Sequence, residues 1–572
     1  MVMGFRRLSR YVESSLVLSV LLWGGFFVPS PALAQEASPT VSPEPPHQPP
    51  PPKFLLKDLK ITGNTLIGTD MLMRRACCIV GELVDLADLE RIAGLITDLY
   101  RHQGYTVASA FIPSQDISDG MVEILVLEGA VSDVVVTGNV LYSTKFIEGR
   151  FAPVFAGKAL KNLTLERVLL LLNDTTNLKV AANLAPGKEV GTTRITATVE
   201  DQPANAPSAL AKRPVHLFLN FNNYGFTVIS RNRADIGADV GNLLFEGSTA
   251  SYRAIIGEDP DRMLFHTAAY GVPINHIGTK LVLSGSSGRF DVGGSLAELG
   301  IQGTINTVDI SVIHPFIKTR FTSLLAEVGF AAKNNELFLL GEKSGDDRLR
   351  MVKVGLNGDW LDSTGRSFLS AYGFQGIGHA LGGMGDNDPL VTRHGADNRF
   401  TKGVLTAGRV QAVTQEQFLV LRGNGQITTG PVAIIEQFLL GGFDSVRGYQ
   451  LGEYFVDEGY TVSAEYRVPA FLTPQANNVL GGLFGKGNFD LGSYMQLLAF
   501  VDHGAGRVRA PSVGERRYHD LTGAGVGTRI NLPYYESTLS FDVGFPLGLK
   551  PLGGTIGGGD SPTFYIQLSG KY

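Results

Sequence analysis

Residues 214–572 contain no apolar run approaching the ~18 residues that a membrane-crossing helix needs, yet much of this stretch alternates apolar and polar residues with a period of two. Tyr460, Val462, Ala464, Tyr466 and Val468 share one face, and Thr461, Ser463, Glu465 and Arg467 the other. Leu539, Phe541, Val543 and Phe545 oppose Ser540 and Asp542 in the same way. At the end of the chain Phe564, Ile566, Leu568 and Tyr572 alternate with Tyr565, Gln567, Ser569 and Lys571. Successive side chains of a strand point to opposite faces, so these segments build sheets with one greasy and one polar side. Such a sheet crosses a bilayer only when it closes on itself, because lipid leaves no backbone N–H or C=O a partner outside the sheet. A soluble sandwich shows the same alternation.

The N-terminus favours the membrane reading. Arg6, Arg7 and Arg10 precede an apolar run from Leu16 to Phe27 broken only by Ser19. Pro29 follows, and Ala32-Leu33-Ala34 is a cleavage signal before Gln35, so residues 1–34 read as a secretory leader. The alternative, an uncleaved anchor, requires a longer span than this run supplies. An exported chain with alternating strands and an aromatic last residue points to an outer-membrane barrel over 214–572. Sixteen antiparallel strands would leave about 22 residues for each strand and its connection, against the ~9–11 of the strand itself.

Composition excludes several other classes. Charged residues are 18% of the chain, the net charge is −5, and 70 residues are Gly. A nucleic-acid binder would carry a basic excess. Cys77 and Cys78 are adjacent, where a bridge strains the backbone, and have no zinc-type spacing; they read as a small buried pair on a helix. No G-x-S-x-G elbow, H-E-x-x-H or phosphate-binding G-x-x-x-x-G-K-[ST] loop occurs, and the ten His residues form no ligand-spaced cluster. Neither an enzyme activity nor a metal or cofactor is expected.

Between leader and barrel lie a linker and a repeat. Residues 35–53 are dominated by proline and should be extended. Only Gln35 to Ser38 precede the prolines, too few for a long plug helix. Lys60-Ile61-Thr62-Gly63-Asn64 then recurs as Val135-Val136-Thr137-Gly138-Asn139, marking modules at 54–130 and 131–203. In the first, Asp85 is a helix N-cap, with Leu89, Ile92, Ala93, Ile96, Leu99 and Tyr100 at helical spacing and Gly104 as the capping glycine. Strands are expected over Thr106–Ile112 and Met121–Leu127. In the second, Thr164 is the expected cap, with Leu165, Val168, Leu169 and Leu172 on one face and strands near Val180 and over Arg194–Val199. Each module is thus a β-α-α-β-β unit.

Two motifs in the barrel region complete the pattern. Val446-Arg447-Gly448-Tyr449 follows a Gly441-Gly442 turn, where the backbone can bend tightly and approach a wall. Phe500-Val501-Asp502-His503-Gly504 comes later, with Phe500 and Asp502 on one face and Val501 on the other. With Gly104-Tyr105, Ile112-Pro113-Ser114-Gln115-Asp116-Ile117, Asp119-Gly120 and Glu128-Gly129, the chain resembles the outer-membrane transporters of two-partner secretion, the hemolysin and filamentous-haemagglutinin transporter family. Leu165-Glu166-Arg167, Leu171-Leu172-Asn173-Asp174 and Pro186-Gly187 resemble the second polypeptide-transport-associated (POTRA) module of that family.

The resemblance implies two periplasmic POTRA modules, with Gly104, Tyr105, Pro113, Gln115 and Asp116 in client binding. It implies an outer-membrane barrel in which the Arg447 loop folds into the lumen and pairs with Asp502, flanked by Phe500 and Gly504. In a wet lumen that pair would contribute only about 1 kcal/mol, a positional more than a stabilising role. Softer matches are Asn223-Tyr224-Gly225 with Arg231 and Arg233, at the first strand, and His314-Pro315-Phe316 with Arg320, at a periplasmic turn. Arg529 and Asp542 would line the lumen. Phe564, Ile566, Leu568 and Tyr572 resemble the signal read by the barrel-assembly machinery. Implied partners are a large β-rich secreted client, outer-membrane lipid and that machinery, with no nucleic acid. The rival readings are an insertase of the same superfamily, a diffusion porin and a soluble adhesin.

Overall fold

The computed structural model describes residues 53–76, 79–155, 157, 159–201, 215–385, 388–471, 491–532, 536–548 and 561–571. The leader, almost all of the proline linker, the question of a plug helix, Cys77, Cys78 and Tyr572 lie outside the described residues. The described chain divides into two compact units between residues 201 and 215.

The first unit holds both repeats. The first repeat comprises β1 (Phe54–Leu55), β2 (Asp58–Thr62), α1 (Thr69–Ala76), β3 (Leu83–Val84), α2 (Leu86–His102), β4 (Ser109–Phe111) and β5 (Met121–Leu127). Its three-stranded sheet has the order β2-β5-β4, with β2 and β5 parallel. Helix α2 starts where Asp85 closes a reciprocal capping box with Asp88, and Leu89, Ile92, Ala93, Ile96 and Tyr100 form its buried face. The second repeat comprises β6 (Ala130–Thr137), α3 (Thr144–Arg150), α4 (Ala152–Phe155), α5 (Asn162–Asn173), β7 (Lys179–Pro186) and β8 (Thr192–Glu200), in sheet order β6-β8-β7.

Two local expectations are corrected. Strand β4 is shorter than Thr106–Ile112, because residues 105–108 close a turn, with the Ala108 N–H on the Tyr105 carbonyl at 3.1 Å. Pro113 lacks an N–H to continue the strand, and the Gln115 side chain takes over: its amide donates to the Glu123 carbonyl at 2.7 Å and accepts from the Glu123 N–H at 2.8 Å. Thr164 is not a cap, since α5 begins at Asn162 after Lys161, which offers no side-chain capping bond. The unpaired N–H at that helix start is satisfied instead by the other repeat, the Gly104 carbonyl accepting from Asn162 N–H at 2.8 Å.

The Thr-Gly-Asn repeat has a steric cause. Gly63 and Gly138 sit at φ +79° and +86°. A Cβ there would lie 2.2 Å from the Val126 carbonyl oxygen or 2.5 Å from that of Val199. Asn64 and Asn139 then bridge the turn, donating to the Ile67 carbonyl at 2.9 Å and the Tyr142 carbonyl at 2.8 Å. A carboxylate closes each module at the same place. Glu128 accepts from the N–H groups of Thr65 and Leu66 and from the hydroxyls of Thr65 and Tyr100. Asp201 accepts from the N–H groups of Val140, Leu141 and Tyr142 at 2.7–3.0 Å.

Replacing Asp201 with Ala leaves three N–H groups without this acceptor and should destabilise the second module by roughly 2–4 kcal/mol. Hydrogen exchange at Val140–Tyr142 reads this directly, and wild-type protection there would contradict it. Burial alone would raise the Glu128 pKa, but those hydrogen bonds hold it below the usual value of 4.5. A depressed folded pKa stabilises above the unfolded value and is lost as pH falls through the folded one. The first module should therefore loosen below about pH 4.5, less so in Glu128→Gln.

The second unit is a closed barrel. Its sixteen antiparallel strands are β9 (Val215–Asn222) to β19 (Phe418–Thr428) and β22 (Glu458–Pro469) to β26 (Thr563–Lys571), paired in sequence order with β26 returning to β9. An even strand number brings both chain ends to one end of the barrel, the near end. The alternation sorts as the sequence predicts: Val501 is 53% exposed on the outside, while Asp502 is 1% exposed inside. Tyr460, Val462, Tyr466, Phe541 and Phe545 face outward, and Thr461, Glu465, Arg467, Ser540 and Asp542 face inward. Phe564, Ile566 and Leu568 lie on the outer face of β26. Their partner in the proposed signal, Tyr572, lies outside the described residues. His314-Pro315-Phe316 falls within β14 (Gln302–Lys318) at a bulge between Pro315 and Ile317, just before the near-end turn that holds Arg320.

Candidate functional site: a loop tip held on the inner wall

The far-end connection 429–457 joins β19 to β22. It does not extend away from the barrel. A short stem, β20 (Phe438–Leu440) paired with β21 (Tyr454–Val456), carries a tip that lies against the inner face of β22 to β26. Gly441, Gly442 and Gly448 take φ of +93°, +102° and +105°, a region that favours glycine, and so turn the tip back on itself.

Arg447 is the centre of the contact. Its Nε and Nη2 donate to the two oxygens of Asp502 at 2.8 and 3.0 Å, and its own backbone N–H reaches the same carboxylate at 3.1 Å. Nη1 donates to Glu465 at 2.8 Å and to Asp542 at 3.2 Å, and Nη2 also meets the Ser463 hydroxyl at 3.3 Å. The guanidinium carbon stacks 3.4 Å from the centre of the Phe500 ring. Arg529 binds Asp542 in turn, with Nη2 at 2.8 Å, and Arg467 donates to Glu465 at 2.6 Å. Three inward carboxylates, Glu465 on β22, Asp502 on β23 (Met495–Arg507) and Asp542 on β25 (Thr538–Pro546), thus face Arg447, Arg467 and Arg529, with a fourth arginine, Arg422, 3.9 Å from Glu465.

This corrects the expectation of a weak pair in a wet lumen. The Arg447 side chain is 4% exposed and its acidic partners at most 1%. Charges taken out of water in one network are individually hard to remove, since deleting one strands the others at a cost of roughly 3–5 kcal/mol. Arg529 and Asp542 do more than line the lumen, because both belong to this network.

The other motif residues shape the contact. Phe500 supplies the stacking face, and Gly504 leaves room for Val446, whose Cγ2 a Cβ on Gly504 would approach to 3.0 Å. Gly448 presses on the backbone of Phe545 and Pro546, which a Cβ would meet at 2.8–2.9 Å. The wall answers with glycine of its own, since a Cβ on Gly523 would lie 1.9 Å from the Arg447 carbonyl oxygen. Tyr449 donates its hydroxyl to the Thr522 carbonyl at 3.1 Å.

The family profile for haemolysin secretion/activation proteins ShlB/FhaC/HecB matches residues 209–530, and a profile for POTRA domains of ShlB type matches 54–129. The chain belongs to this ShlB/FhaC/HecB family. It is a two-partner secretion transporter of the outer membrane, with the POTRA region in the periplasm as in that family. The transporter is 26% identical to the heme/hemopexin transporter protein HuxB of Haemophilus influenzae over 81% of this chain and 80% of HuxB. It is 23% identical to the hemolysin transporter protein HpmB of Proteus mirabilis over 76% of each chain. The solved structure of CdiB from Escherichia coli superposes with a TM-score of 0.68 over 93% of each chain at 18% identity, a likeness of fold.

One wall residue of this transporter was not singled out from sequence. Tyr565, on the inner face of β26, accepts from the Gly448 N–H at 3.1 Å and donates to the Tyr449 carbonyl at 2.7 Å, while Thr563 donates to the Gly448 carbonyl at 3.0 Å. The available signal was a Tyr among Gln567, Ser569 and Lys571 on a polar face. Nearby, Asn223-Tyr224-Gly225 follows β9 rather than lying in it. Phe443 of the tip stacks on Tyr224 with centroids 4.0 Å apart, and Asn223 hydrogen-bonds the backbone of Phe564 and Ile566 at 2.9 and 2.8 Å across the seam. Arg233 opens β10 (Arg233–Gly241) and donates to Asn222 at 2.8 Å. Tyr565→Phe deletes both bonds to the tip and should loosen it by about 1–3 kcal/mol. Faster hydrogen exchange at Gly448 would register this, and unchanged exchange would show that Tyr565 only fills space.

Among the client-binding candidates, Gly104 and Tyr105 terminate α2, with Gly104 at φ +91°. Pro113 and Gln115 finish the edge of the first sheet, and Asp116 accepts from the Ser118 N–H at 2.9 Å. Their placement is that of residues shaping a sheet edge.

Proposed function

We propose that the POTRA modules bind an unfolded, β-prone secreted partner by adding one of its strands to a free sheet edge, and that the partner then threads the barrel as the Arg447 tip shifts. Strand β4, shaped by Gly104, Tyr105, Pro113, Gln115 and Asp116, and strand β7 each pair on one side only among the described residues. Edge addition takes its affinity from main-chain hydrogen bonds and tolerates varied sequence, as a carrier of unfolded chains requires. The single observation that carries the reading is the Arg447–Asp502 contact inside the lumen: a passing chain has to share the barrel with this tip. The Val446–Tyr449 tip and its partners Phe500, Asp502 and Gly504 are then the moving part and its seat.

The secreted partner is proposed to be a large β-rich exoprotein of the adhesin, cytolysin or haem-scavenging type. The outward apolar residues of the strands would meet lipid. Phe564, Ile566, Leu568 and Tyr572 would be read by the assembly machinery during insertion. No catalytic residue, metal or cofactor enters the proposal, and export would draw on the partner's folding outside.

Comparison of culture medium and outer membrane with and without this gene tests the reading. Loss of one large secreted protein with an unchanged membrane profile is expected. Depletion of many barrel proteins from the membrane would make the protein an insertase instead.

A further inference from the structure

The arm of the connection that precedes the tip is held by a second charged contact, on a different part of the barrel wall. Residues 434–436 form a 3-10 turn. Its Glu436 carboxylate is 1% exposed and lies between Lys333 of β15 (Thr322–Leu339), at 2.6 Å, and Lys402 of β18 (Thr401–Ala412), which also binds it directly. Lys402 in turn sits 5.2 Å from the centre of the Phe374 ring. Gln426 of β19 ties both roots of the connection together, donating to the carbonyls of Glu436 at 2.8 Å and Asp457 at 3.0 Å. Asp457, itself buried, is bound by Arg393 of the neighbouring connection 377–400 and accepts from Val432 N–H at 2.9 Å and Arg509 N–H at 2.7 Å.

The packing beneath this clamp is unlike a water-filled pore. Leu349 and Met351 belong to the inward parity of β16 (Glu342–Leu361), since Val352, Val354 and Leu356 face outward. Together with Ala331 and Phe400, and with Met384, Val432 and Ala433 from the two connections, they form a buried apolar cluster in which no member exceeds 6% exposure. Pore interiors of such barrels are polar. Apolar side chains on the inner wall are therefore covered here by the arm that Glu436 holds in place.

We infer that Glu436, Lys333 and Lys402 form a resting clamp that keeps this arm across the far end of the lumen, separate from the Arg447 contact and released for transport. Glu436 is a positioning residue: among the described residues it is the sole carboxylate paired with both lysines, so its loss sets two cations against each other and frees the arm. The inference rests on the barrel lumen being the transport path, but its main readout, conductance, needs no partner protein.

Purified full-length transporter in planar bilayers provides the test, with secretion of the partner measured in parallel. Glu436→Gln and Glu436→Lys should each raise the open fraction about tenfold or more while secretion persists. Glu436→Lys combined with Lys402→Glu should restore closure, because the charge pair is rebuilt in reverse; a residue needed only for packing would not be rescued. Wild-type conductance in both single variants, with normal heat-modifiable mobility, would overturn the clamp. Loss of secretion in Glu436→Gln at normal transporter levels would also overturn it, by placing Glu436 in the transport step itself. Should the Glu436 variants fail to insert, Lys333→Met removes only the more exposed partner: opening supports the clamp, and unchanged closure refutes it.

Discussion

Arg447→Ala should abolish secretion of the partner while the barrel still inserts. The sixteen-strand ladder owes none of its pairing to the tip, so strand closure and heat-modifiable mobility should persist. What the substitution removes is the one group that touches Asp502, Glu465 and Asp542 together. Asp502 has no other ion-pair partner among the described residues, whereas Glu465 keeps Arg467 and Asp542 keeps Arg529. The tip should therefore leave the wall around Asp502, with a local loss of roughly 3–5 kcal/mol. Arg447→Lys should fare little better, because an ammonium cannot reproduce the fork on Asp502 or stack flat on Phe500. Normal secretion by Arg447→Ala at normal membrane levels would remove Arg447 from the mechanism.

Gly448→Ala should give nearly the same defect with every charge in place. The residue sits at φ +105°, where a side chain costs about 1–3 kcal/mol. Its new Cβ would also meet the Phe545 carbonyl carbon at 2.8 Å and the Pro546 nitrogen at 2.9 Å. These are backbone atoms at the end of β25, where Phe545 and Pro546 pair with Ala524 and Gly523 of β24 (Tyr518–Asn531) and so resist displacement. The tip has to retreat, which breaks the Gly448 and Tyr449 bonds to Tyr565 and pulls Arg447 off Asp502. Protease access to the loop should rise together with the loss of secretion. Wild-type secretion with a still-protected loop would show that the wall adapts, and that close backbone approach is not what seats Arg447.

The Arg447 contact is only partly legible in the sequence. The family resemblance of their motifs implies the Arg447–Asp502 pair, and period-two geometry by itself places Asp502 and Phe500 on one face. The burial of that pair was not visible. It depends on Glu465, Arg467, Arg529 and Asp542, which lie on three other strands and reach the same level only through the stagger of the closed barrel. Nothing in the local sequence marks Tyr565 or Glu436, for a related reason. Each sits in a segment whose local pattern is complete without it, and its partners lie 34 to 117 residues away along the chain. In the modules, the Asp85 cap and the α2 face were legible because the interactions are local. The start of α5 was not, because Gly104 of the other module satisfies it.

What the sequence by itself determined is therefore everything carried by short-range period and sterics: the inward and outward faces of the strands, the two Thr-Gly-Asn modules, and the glycines that let the tip turn. The tertiary structure alone decided which inward charges meet, because that follows from strand register, barrel closure and the folding-in of a long connection. Those are long-range quantities to which no window of neighbouring residues is sensitive. A carboxylate on an inner face reads alike in sequence whether it meets water or a buried arginine. In the folded barrel, Asp502 meets Arg447.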